Sequence, residues 1–173
     1  MDFNYSEEQQ TIRELARGIL DAEATQERLR AAERTPDWPD AALWKQLAEA
    51  NLLGIAVPEP HGGMGMGLLE LCVLLEELGR AALPSPAFAS LVLGALPLAQ
   101  FGSAAQQARW LTRVASGETL LTAALDDANS ADVYAPATTA RRDGRGWLLD
   151  GAKRFVPHAR GAGAILIPAR ASD

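Results

Sequence analysis

Apolar residues recur every three or four positions through the first two thirds of the chain, the spacing that places side chains on one face of a helix. The first series follows Ser6, which forms a capping-box pattern with Gln9, and it predicts a helix that ends near Glu33. A turn at residues 35–39 opens a second predicted helix, which closes around Gly54. We expect these two helices to form an antiparallel pair. The apolar side of the second helix carries Leu43, Trp44, Leu47 and Ala48.

Proline and glycine then interrupt the helical pattern. Residues 55–60 include two prolines and are expected to be extended, because proline restricts the residue before it. A glycine-dense loop follows at residues 61–67. Three more helices are predicted, at residues 68–82, at 86–100 with a kink or an early end at Pro97, and at 103–115.

After Gly117 the pattern changes to short β-like runs, at residues 120–125, 133–140, 147–149 and 164–167. The segment 141–146 contains Asp-Gly and predicts a hairpin, because glycine adopts the positive φ of a tight turn. The strands are expected to be antiparallel at least there. The chain is therefore predicted to be α+β, with an all-α N-terminal helical domain at residues 1–117, followed by the beginning of an antiparallel β-domain at residues 118–173.

The four tryptophans fall in both parts of this predicted organisation. We expect Trp38, Trp44 and Trp110 to help fix helix packing. Trp147 directly follows the predicted hairpin turn, so we expect it to begin a strand and not to stack on a cofactor.

Charge and composition narrow the classes of partner. The net charge is −6 and the pI is near 5.0, which argues against nucleic acid, because phosphate contacts require clustered Lys and Arg. The first ten residues are acidic, and the apolar runs are broken before spanning length, so we expect no signal peptide and no membrane span. The single cysteine, Cys72, lies in an apolar helical pattern and is expected to be a buried thiol, which suits a reducing cytoplasm.

Motifs of common catalytic sites do not occur in the sequence. The chain has two histidines and contains no metal-ligand spacing, no Rossmann or phosphate loop and no nucleophile elbow, so we expect no metal. Glu76 and Glu77 are adjacent on a predicted helix, so their side chains diverge by about 100°. We expect one of these carboxylates to be solvated and the other to lie at a domain contact.

Five segments occur in an order and spacing that resemble the acyl-CoA dehydrogenase family over essentially the whole chain. Each segment is weak evidence alone, but the five together are specific. They are LGIAVPEPHGGMG at 53–65, EELGR at 76–80, Gly102-Ser103 with Gln107 and Arg109-Trp110-Leu111, SGE at 116–118, and WLLDGAK at 147–153.

The resemblance implies a helical N-terminal domain, a middle β-domain that binds FAD, and a C-terminal helical bundle beyond Asp173. The implied reaction is the α,β-desaturation of an acyl-CoA thioester, in which a glutamate of that bundle takes the α-proton and the flavin takes the β-hydride. No catalytic residue is assigned to residues 1–173, and we expect this stretch alone to be inactive. The implied partners are the acyl-CoA substrate, an electron-transfer flavoprotein or similar acceptor, and further subunits of a homo- or hetero-oligomer.

Two family motifs are altered in this sequence. Where the family has Thr-Glu-Pro before Gly-x-Gly-Ser-Asp, residues 126–132 read DDANSAD, and where it has Lys-x-Trp-Ile-Thr-Asn, residues 153–158 read KRFVPH. Pro157 offers neither hydroxyl nor N–H to a flavin, whereas Phe155 still offers an aromatic face. The carboxylate of Asp126 would oppose a negative reduced ring. The resemblance implies cofactor contacts from Leu125, Asp126, Phe155, Val156, Pro157 and His158.

Several assignments leave more than one interpretation open. His158 either supplies a polar contact or is an exposed loop residue. Small residues on the fourth helix either leave room for a wide acyl group or let helices approach closely. The protein is either the dehydrogenase itself, a non-catalytic partner subunit of a heteromeric dehydrogenase, or a helical interaction module. The substrate-binding residues implied by the resemblance are Pro86, Ala89, Leu93, Ser130 and Ala131.

Overall fold

A computed structural model describes residues 4–34, 41–130, 132 and 134–172. Helices predominate among the described residues up to residue 115 and short strands follow from residue 121, so the predicted α+β fold class is confirmed. The helices are α1 (Glu7–Glu23), α2 (Gln26–Arg34), α3 (Ala41–Glu49), α4 (Leu68–Ala81), a π-helical segment (Phe88–Ala95) that continues into α5 (Leu96–Phe101), and α6 (Ala104–Ala115). Single 3-10 turns lie at Leu52–Gly54, Glu59–His61 and Ala159–Gly161.

Helix α1 begins with the predicted capping box. The hydroxyl of Ser6 accepts the backbone N–H of Gln9 at 3.2 Å, and the side-chain oxygen of Gln9 accepts the backbone N–H of Ser6 at 3.0 Å. The predicted end near Glu33 is wrong, because α1 stops at Glu23 and α2 is a separate helix. Leu20 is the last buried residue of α1, and α2 has no buried residue, so core packing does not require one continuous helix.

The main packing partner of α1 is α4, and its contact with α3 is smaller. The predicted pairing of the first two helices corresponds to the contact between α1 and α3, which is smaller than the contact between α1 and α4. Helix α4 confirms the helix predicted at residues 68–82 and ends where Ala82 adopts a φ of 53°. Cys72 is exposed, so the predicted buried thiol is wrong. The buried stripe of α4 runs through Leu71, Leu74 and Leu78, and Cys72 lies beside that stripe.

Residues 55–60 are not extended, contrary to the prediction. Ile55 has α-helical angles, and after a turn the chain forms the 3-10 turn Glu59–His61. Pro58 itself has extended angles, with a φ of −58° and a ψ of 145°, but Glu59, which precedes Pro60, lies in the 3-10 turn, so the expected restriction does not keep this segment extended. The glycine loop then folds back on this segment, and a Cβ at Gly63 would overlap the carbonyl oxygen of Val57.

The predicted fourth helix is present, but its first half is π-helical. The change to α-helical geometry occurs at Leu96, one residue before Pro97, where the sequence predicts a kink or an end. The predicted fifth helix is confirmed as α6, which is capped by Ser103. A Cβ at Gly94 would overlap that of Leu121, so the π-helical segment packs closely on the first strand.

Seven short strands form sheets of mixed direction among the described residues. Strands β3 and β4, like β2 and β5, pair antiparallel, whereas β1 and β6, like β3 and β7, pair parallel. The antiparallel expectation therefore holds for two of these four pairings. The strands are β1 (Leu121–Ala123), β2 (Asp126–Asp127), β3 (Thr139–Asp143), β4 (Gly146–Asp150), β5 (Lys153–Arg154), β6 (Ala164–Leu166) and β7 (Arg170–Ser172).

The predicted hairpin is confirmed as the β3–β4 pair. Asp143 pairs with Gly146 across a two-residue turn, in which Gly144 adopts a φ of 58°. Within the strand predicted at residues 133–140, residues 134–138 are not in a strand, and β3 begins at Thr139. Arg141 therefore lies within β3 and not in the turn.

Trp44, Trp110 and Trp147 occupy the predicted kinds of position. Trp44 is buried in the helical core, and its indole N–H donates to the carbonyl oxygen of Gly117 at 3.2 Å. Trp110 packs half-buried against the same core. Trp147 lies in β4 and is half exposed. Trp38 and the predicted turn at residues 35–39 lie outside the described residues.

Candidate functional site

The two segments predicted to contact flavin lie side by side. Strand β2 pairs antiparallel with β5, so Asp126 is opposite Arg154 and Asp127 is opposite Lys153. Leu125 directly precedes β2, and Phe155 directly follows β5. Directly opposed residues of an antiparallel pair place their side chains on the same face, and successive residues alternate between faces. This small ribbon therefore has one face with Asp127 and Lys153, and another with Asp126 and Arg154.

The first face of the ribbon is a buried ion pair. The carboxylate of Asp127 is 4% exposed and accepts a 2.6 Å hydrogen bond from the ammonium of Lys153. It also accepts from the hydroxyl of Thr138 at 2.6 Å and from the backbone N–H of Thr138 at 3.2 Å. Lys153 first, and then Thr138, holds the pKa of Asp127 below its usual range. These bonds fix β2 against β5 and against residue 138.

The second face of the ribbon is open to solvent. Arg154 donates to the carboxylate of Asp126 at 3.0 Å, and both side chains are substantially exposed. The guanidinium carbon of Arg154 lies 5.6 Å from the ring centroid of Phe155, within the range of a cation–π contact. The family resemblance implies that the negative charge of Asp126 would oppose a reduced flavin. The positive charge of Arg154 compensates that negative charge.

Phe155 is held in an unusual conformation and left uncovered. Its side chain is 85% exposed, and its φ is 52°. His158 has the same positive φ, and Asn51 and Ala82 are the other non-glycine residues of the described part of the chain with φ above zero. Left-handed angles cost energy in residues other than glycine and cluster at ligand sites. Phe155 and His158, which flank Val156 and Pro157, both have such angles, and this supports the prediction that residues 155–158 bind a ligand.

Pro157 is anchored to the first strand by its carbonyl group. The hydroxyl of Thr122, a fully buried residue of β1, donates to that carbonyl oxygen at 2.8 Å. Thr122 is not among the residues predicted from the sequence to form the site, although a polar residue inside the apolar run 120–125 is a visible signal. Pro157 lacks the hydroxyl and the N–H that a threonine has at this position in the family. The hydroxyl of Thr122 bonds to the Pro157 carbonyl and so fixes the position of the segment.

His158 lies half-buried at the edge of a cleft of about 950 Å³. Burial lowers the pKa of His158 below its usual value. The exposed-loop interpretation of His158 therefore does not describe its surroundings, and its contact with a cofactor stays a prediction. The cleft is lined by Ala41, Trp44, Lys45, Ser116, Gly117, Glu118, Thr119, Leu120, His158, Arg160, Gly161, Ala162 and Gly163.

The residues predicted to line an acyl pocket fall on and around the π-helical segment. Pro86 and Ala89 are buried, and Leu93 is half-buried. Ser90 accepts the backbone N–H of Leu121 at 3.2 Å. Together with the overlap that a Cβ at Gly94 would produce, this contact supports close helix–strand packing as the role of Ser90 and Gly94. The roles of Pro86, Ala89 and Leu93 in substrate binding stay predictions.

Ser130 belongs to a turn beyond β2. Its hydroxyl donates to the carbonyl oxygen of Ala135 at 3.2 Å and accepts the backbone N–H of Asp132 at the same distance. These bonds describe a turn and do not test a contact with substrate. Ala131, the other residue predicted there, lies outside the described residues.

Glu77 and Glu76 diverge as predicted, but Glu77 does not lie at a domain contact. Its side chain is 1% exposed between α1 and α4, within the helical part of the chain. It accepts from Arg17 at 2.6 Å, from Arg80 at 2.6 Å and from Arg13 at 3.1 Å. These bonds, that of Arg17 most, lower the pKa of Glu77 to about 2. The sequence signal for this cluster was a glutamate inside the buried stripe of α4, between Leu74 and Leu78.

Two further findings concern the part of the chain that the structure describes. None of its helices is long and apolar enough to cross a membrane. Within the same residues, no group of three or more His, Cys, Asp or Glu side chains is arranged to hold a metal ion.

Sequence comparison relates the chain to one family. The model of the acyl-CoA dehydrogenase N-terminal domain matches residues 6–118. Acyl-CoA dehydrogenase FadE27 of Mycobacterium tuberculosis is 36% identical over 170 residues, which cover 98% of this chain and 44% of that protein.

Structural comparison gives the same relationship. The Tcur3481-Tcur3483 steroid ACAD G363A variant is 46% identical with a TM-score of 0.90, over 96% of this chain and 46% of that one. The ChsE4-ChsE5 complex from M. tuberculosis is 35% identical with a TM-score of 0.90, over 99% and 46%. The acyl-CoA dehydrogenase from Bacillus anthracis complexed with FAD is 27% identical with a TM-score of 0.84, over 97% and 29%. The chain spans less than half the length of these proteins, and it belongs to the acyl-CoA dehydrogenase family.

Proposed function

We propose that the natural protein is a flavin-dependent acyl-CoA dehydrogenase that catalyses the α,β-desaturation of an acyl-CoA thioester. Family membership supports this proposal, as does the FAD bound by the relative from B. anthracis. A division near residue 118 between a helical domain and the start of a flavin-binding β-domain is part of the proposal. The end of the family match at residue 118 agrees with it.

The observation that carries the proposal is the juxtaposition of Leu125 and Asp126 with the segment 155–157. The antiparallel pairing of β2 with β5 brings these segments together, and the 2.8 Å bond from Thr122 to Pro157 braces them. The residues present fit a flavin, because the face of Phe155 is open and the charge of Asp126 is balanced by Arg154. The loss of the threonine hydroxyl at Pro157 means that one family contact is replaced or absent.

The residues of this chain would bind and orient the cofactor. When bound, FAD supplies the acceptor for the β-hydride of the thioester. Phe155 would stack against its ring, while the buried pair of Asp127 and Lys153 would keep the ribbon rigid beneath that contact. We assign no proton-abstracting base to residues 1–173, and the family resemblance places that glutamate in a C-terminal helical bundle.

The substrate and partners follow from the same reasoning. An acyl-CoA with a wide acyl group agrees with the small side chain of Ala89 and with the relative described as a steroid ACAD. We propose an electron-transfer flavoprotein or similar acceptor and a homo- or hetero-oligomer, and the relative described as a ChsE4-ChsE5 complex favours two different subunits. The cytoplasmic location expected from the sequence stays a prediction.

A second candidate is the non-catalytic partner subunit of a heteromeric dehydrogenase. Pro157 favours it, because the residue lacks the hydroxyl and N–H that a flavin would accept bonds from. No described feature favours the helical interaction module.

Purification of the full-length gene product, with any subunit that copurifies, separates these functions. We expect stoichiometric FAD absorbance in the visible range, which bleaches on addition of a CoA thioester from a panel of linear, branched and polycyclic acyl groups. Bleaching that depends on a base carried by another subunit would favour the partner-subunit function. An assembly that contains no flavin, or flavin that no thioester reduces, would contradict the proposed dehydrogenase.

A further inference from the structure

We infer that the exposed pair of Asp126 and Arg154 sets the balance between the oxidised and reduced states of the flavin, with Arg154 favouring the reduced state and Asp126 opposing it. This inference rests on the proposed function. It concerns Arg154, which lies against the ring of Phe155, and its ion-pair partner Asp126, both on the solvent face of the β2–β5 ribbon.

The geometry connects the pair to the platform. Arg154 bonds to Asp126 at 3.0 Å, and its guanidinium carbon is 5.6 Å from the Phe155 ring centroid. The left-handed φ of Phe155 interrupts the alternation of the strand and brings the ring to the side of Arg154. A ring system stacked on Phe155 would therefore lie beside Arg154, whose ion-pair partner is Asp126.

Stability does not explain this pair. Arg154 and Asp126 are 51% and 38% exposed, and exposed ion pairs contribute little to folding. The ribbon is instead secured on its other face, where Asp127 bonds to Lys153 and to Thr138. The two faces thus separate a buried structural pair from an exposed pair whose charges remain available to a ligand.

The two charges act in opposite directions on a flavin. The reduced ring carries one more negative charge than the oxidised ring, so a nearby cation stabilises the reduced state and a nearby anion destabilises it. Removing Arg154 leaves the carboxylate of Asp126 uncompensated and should lower the reduction potential. Removing Asp126 leaves Arg154 uncompensated and should raise the potential.

The test is the reduction potential of bound FAD in the full-length gene product, with any copurifying subunit, measured against a reference dye. Asp126→Asn should raise the potential and Arg154→Gln should lower it. Each shift should correspond to a change on the order of threefold to tenfold in the ratio of the affinities for the two flavin states. The double variant should lie close to the unchanged protein, and Arg154→Lys should keep the potential near its original value.

Matched controls come from the tip of the β3–β4 hairpin. Asp143→Asn and Arg145→Gln make the same charge changes on the same domain, and they should leave the potential unchanged. A general effect of net charge would move these controls as much as the ribbon variants.

The outcomes separate the two proposals. A raised potential in Asp126→Asn and a lowered potential in Arg154→Gln, which cancel in the double variant, support the inference, and the reversed pair of shifts overturns it. Shifts of the same sign, or none, overturn it while the proposed function stands, and a protein that binds no FAD overturns both. If Arg154→Gln loses FAD, the sign is read from Asp126→Asn alone, and an unchanged or lowered potential in Asp126→Asn overturns the inference.

Discussion

The hydroxyl of Thr122 donates a 2.8 Å hydrogen bond to the carbonyl oxygen of Pro157. This bond joins the buried strand β1 to the segment that follows β5. Leu121, the neighbour of Thr122, donates its backbone N–H to Ser90 of the π-helical segment. The helix predicted to line the acyl pocket and the segment predicted to hold the flavin are therefore coupled through two successive residues of β1.

Thr122→Val should loosen the flavin segment while the fold is kept. The valine is nearly the same size but leaves the Pro157 carbonyl without its donor, at a cost of about 1 kcal/mol of unfolding free energy. We expect weaker FAD retention in the full-length protein, measured by fluorescence titration. Thr139→Val is the control, because the Thr139 hydroxyl makes an exposed 3.4 Å contact with Asp150 on the β3–β4 hairpin. Equal flavin affinity in both variants would contradict the coupling.

Glu77→Gln should destabilise the protein by about 2 kcal/mol, because it leaves three arginines around a neutral group. The folded-state pKa of about 2 lies below the usual 4.5, so Glu77 contributes stability above about pH 4.5. That contribution is lost as pH falls from about 4.5 towards 2. The difference in thermal midpoint between the two proteins should therefore shrink over this range. Glu76→Gln, which alters the exposed partner of Tyr5, should have a much smaller effect at neutral pH.

Gly94→Ala should destabilise the protein by about 1–3 kcal/mol, because the added methyl group overlaps Leu121 in a close-packed contact. Gly18→Ala in α1 is the matched control, since nothing lies within 4 Å of a Cβ there. The control should be neutral or stabilising by up to about 1 kcal/mol, as expected for alanine in a helix. Urea unfolding at one pH measures both changes, and equal effects would disprove the close approach.

Local chemistry explains which parts of the fold were predictable. The Ser6 capping box, the Asp-Gly hairpin and helices α4 and α6 depend on residues near one another in sequence, and all were predicted correctly. The break after Glu23 was missed because the apolar periodicity weakens without an interrupting proline or glycine. The parallel pairing of β1 with β6 depends on contacts between distant segments, which no local pattern specifies.

The candidate site divides in the same way. The family motifs identified the segments around Asp126 and Phe155, and the structure places them together. The motifs did not reveal the bond from Thr122, the pairing of Asp127 with Lys153, or the compensation of Asp126 by Arg154. The two ion pairs depend on the register of β2 against β5. Strands of two residues are too short for a pattern of alternating apolar and polar residues to predict that register.

The 173-residue chain alone should bind FAD weakly or not at all and should have no dehydrogenase activity. Phe155 is 85% exposed, so the described residues form only one wall of the proposed site. The entropy lost on immobilising a ligand is incurred in full even when half of its contacts are missing. The visible absorbance of the purified 173-residue chain, with and without added FAD and acyl-CoA thioesters, measures this. Stoichiometric yellow flavin that bleaches would contradict the expectation.

The most direct test of the flavin site is the FAD affinity of two aromatic variants in the full-length protein. Phe155→Ala removes the exposed ring beside Arg154, and Trp147→Phe alters the half-exposed ring of β4. We predict that Phe155→Ala weakens FAD binding by about tenfold or more, since it removes the stacking face, and that Trp147→Phe leaves binding unchanged. Loss of FAD in Trp147→Phe with full retention in Phe155→Ala would contradict the account.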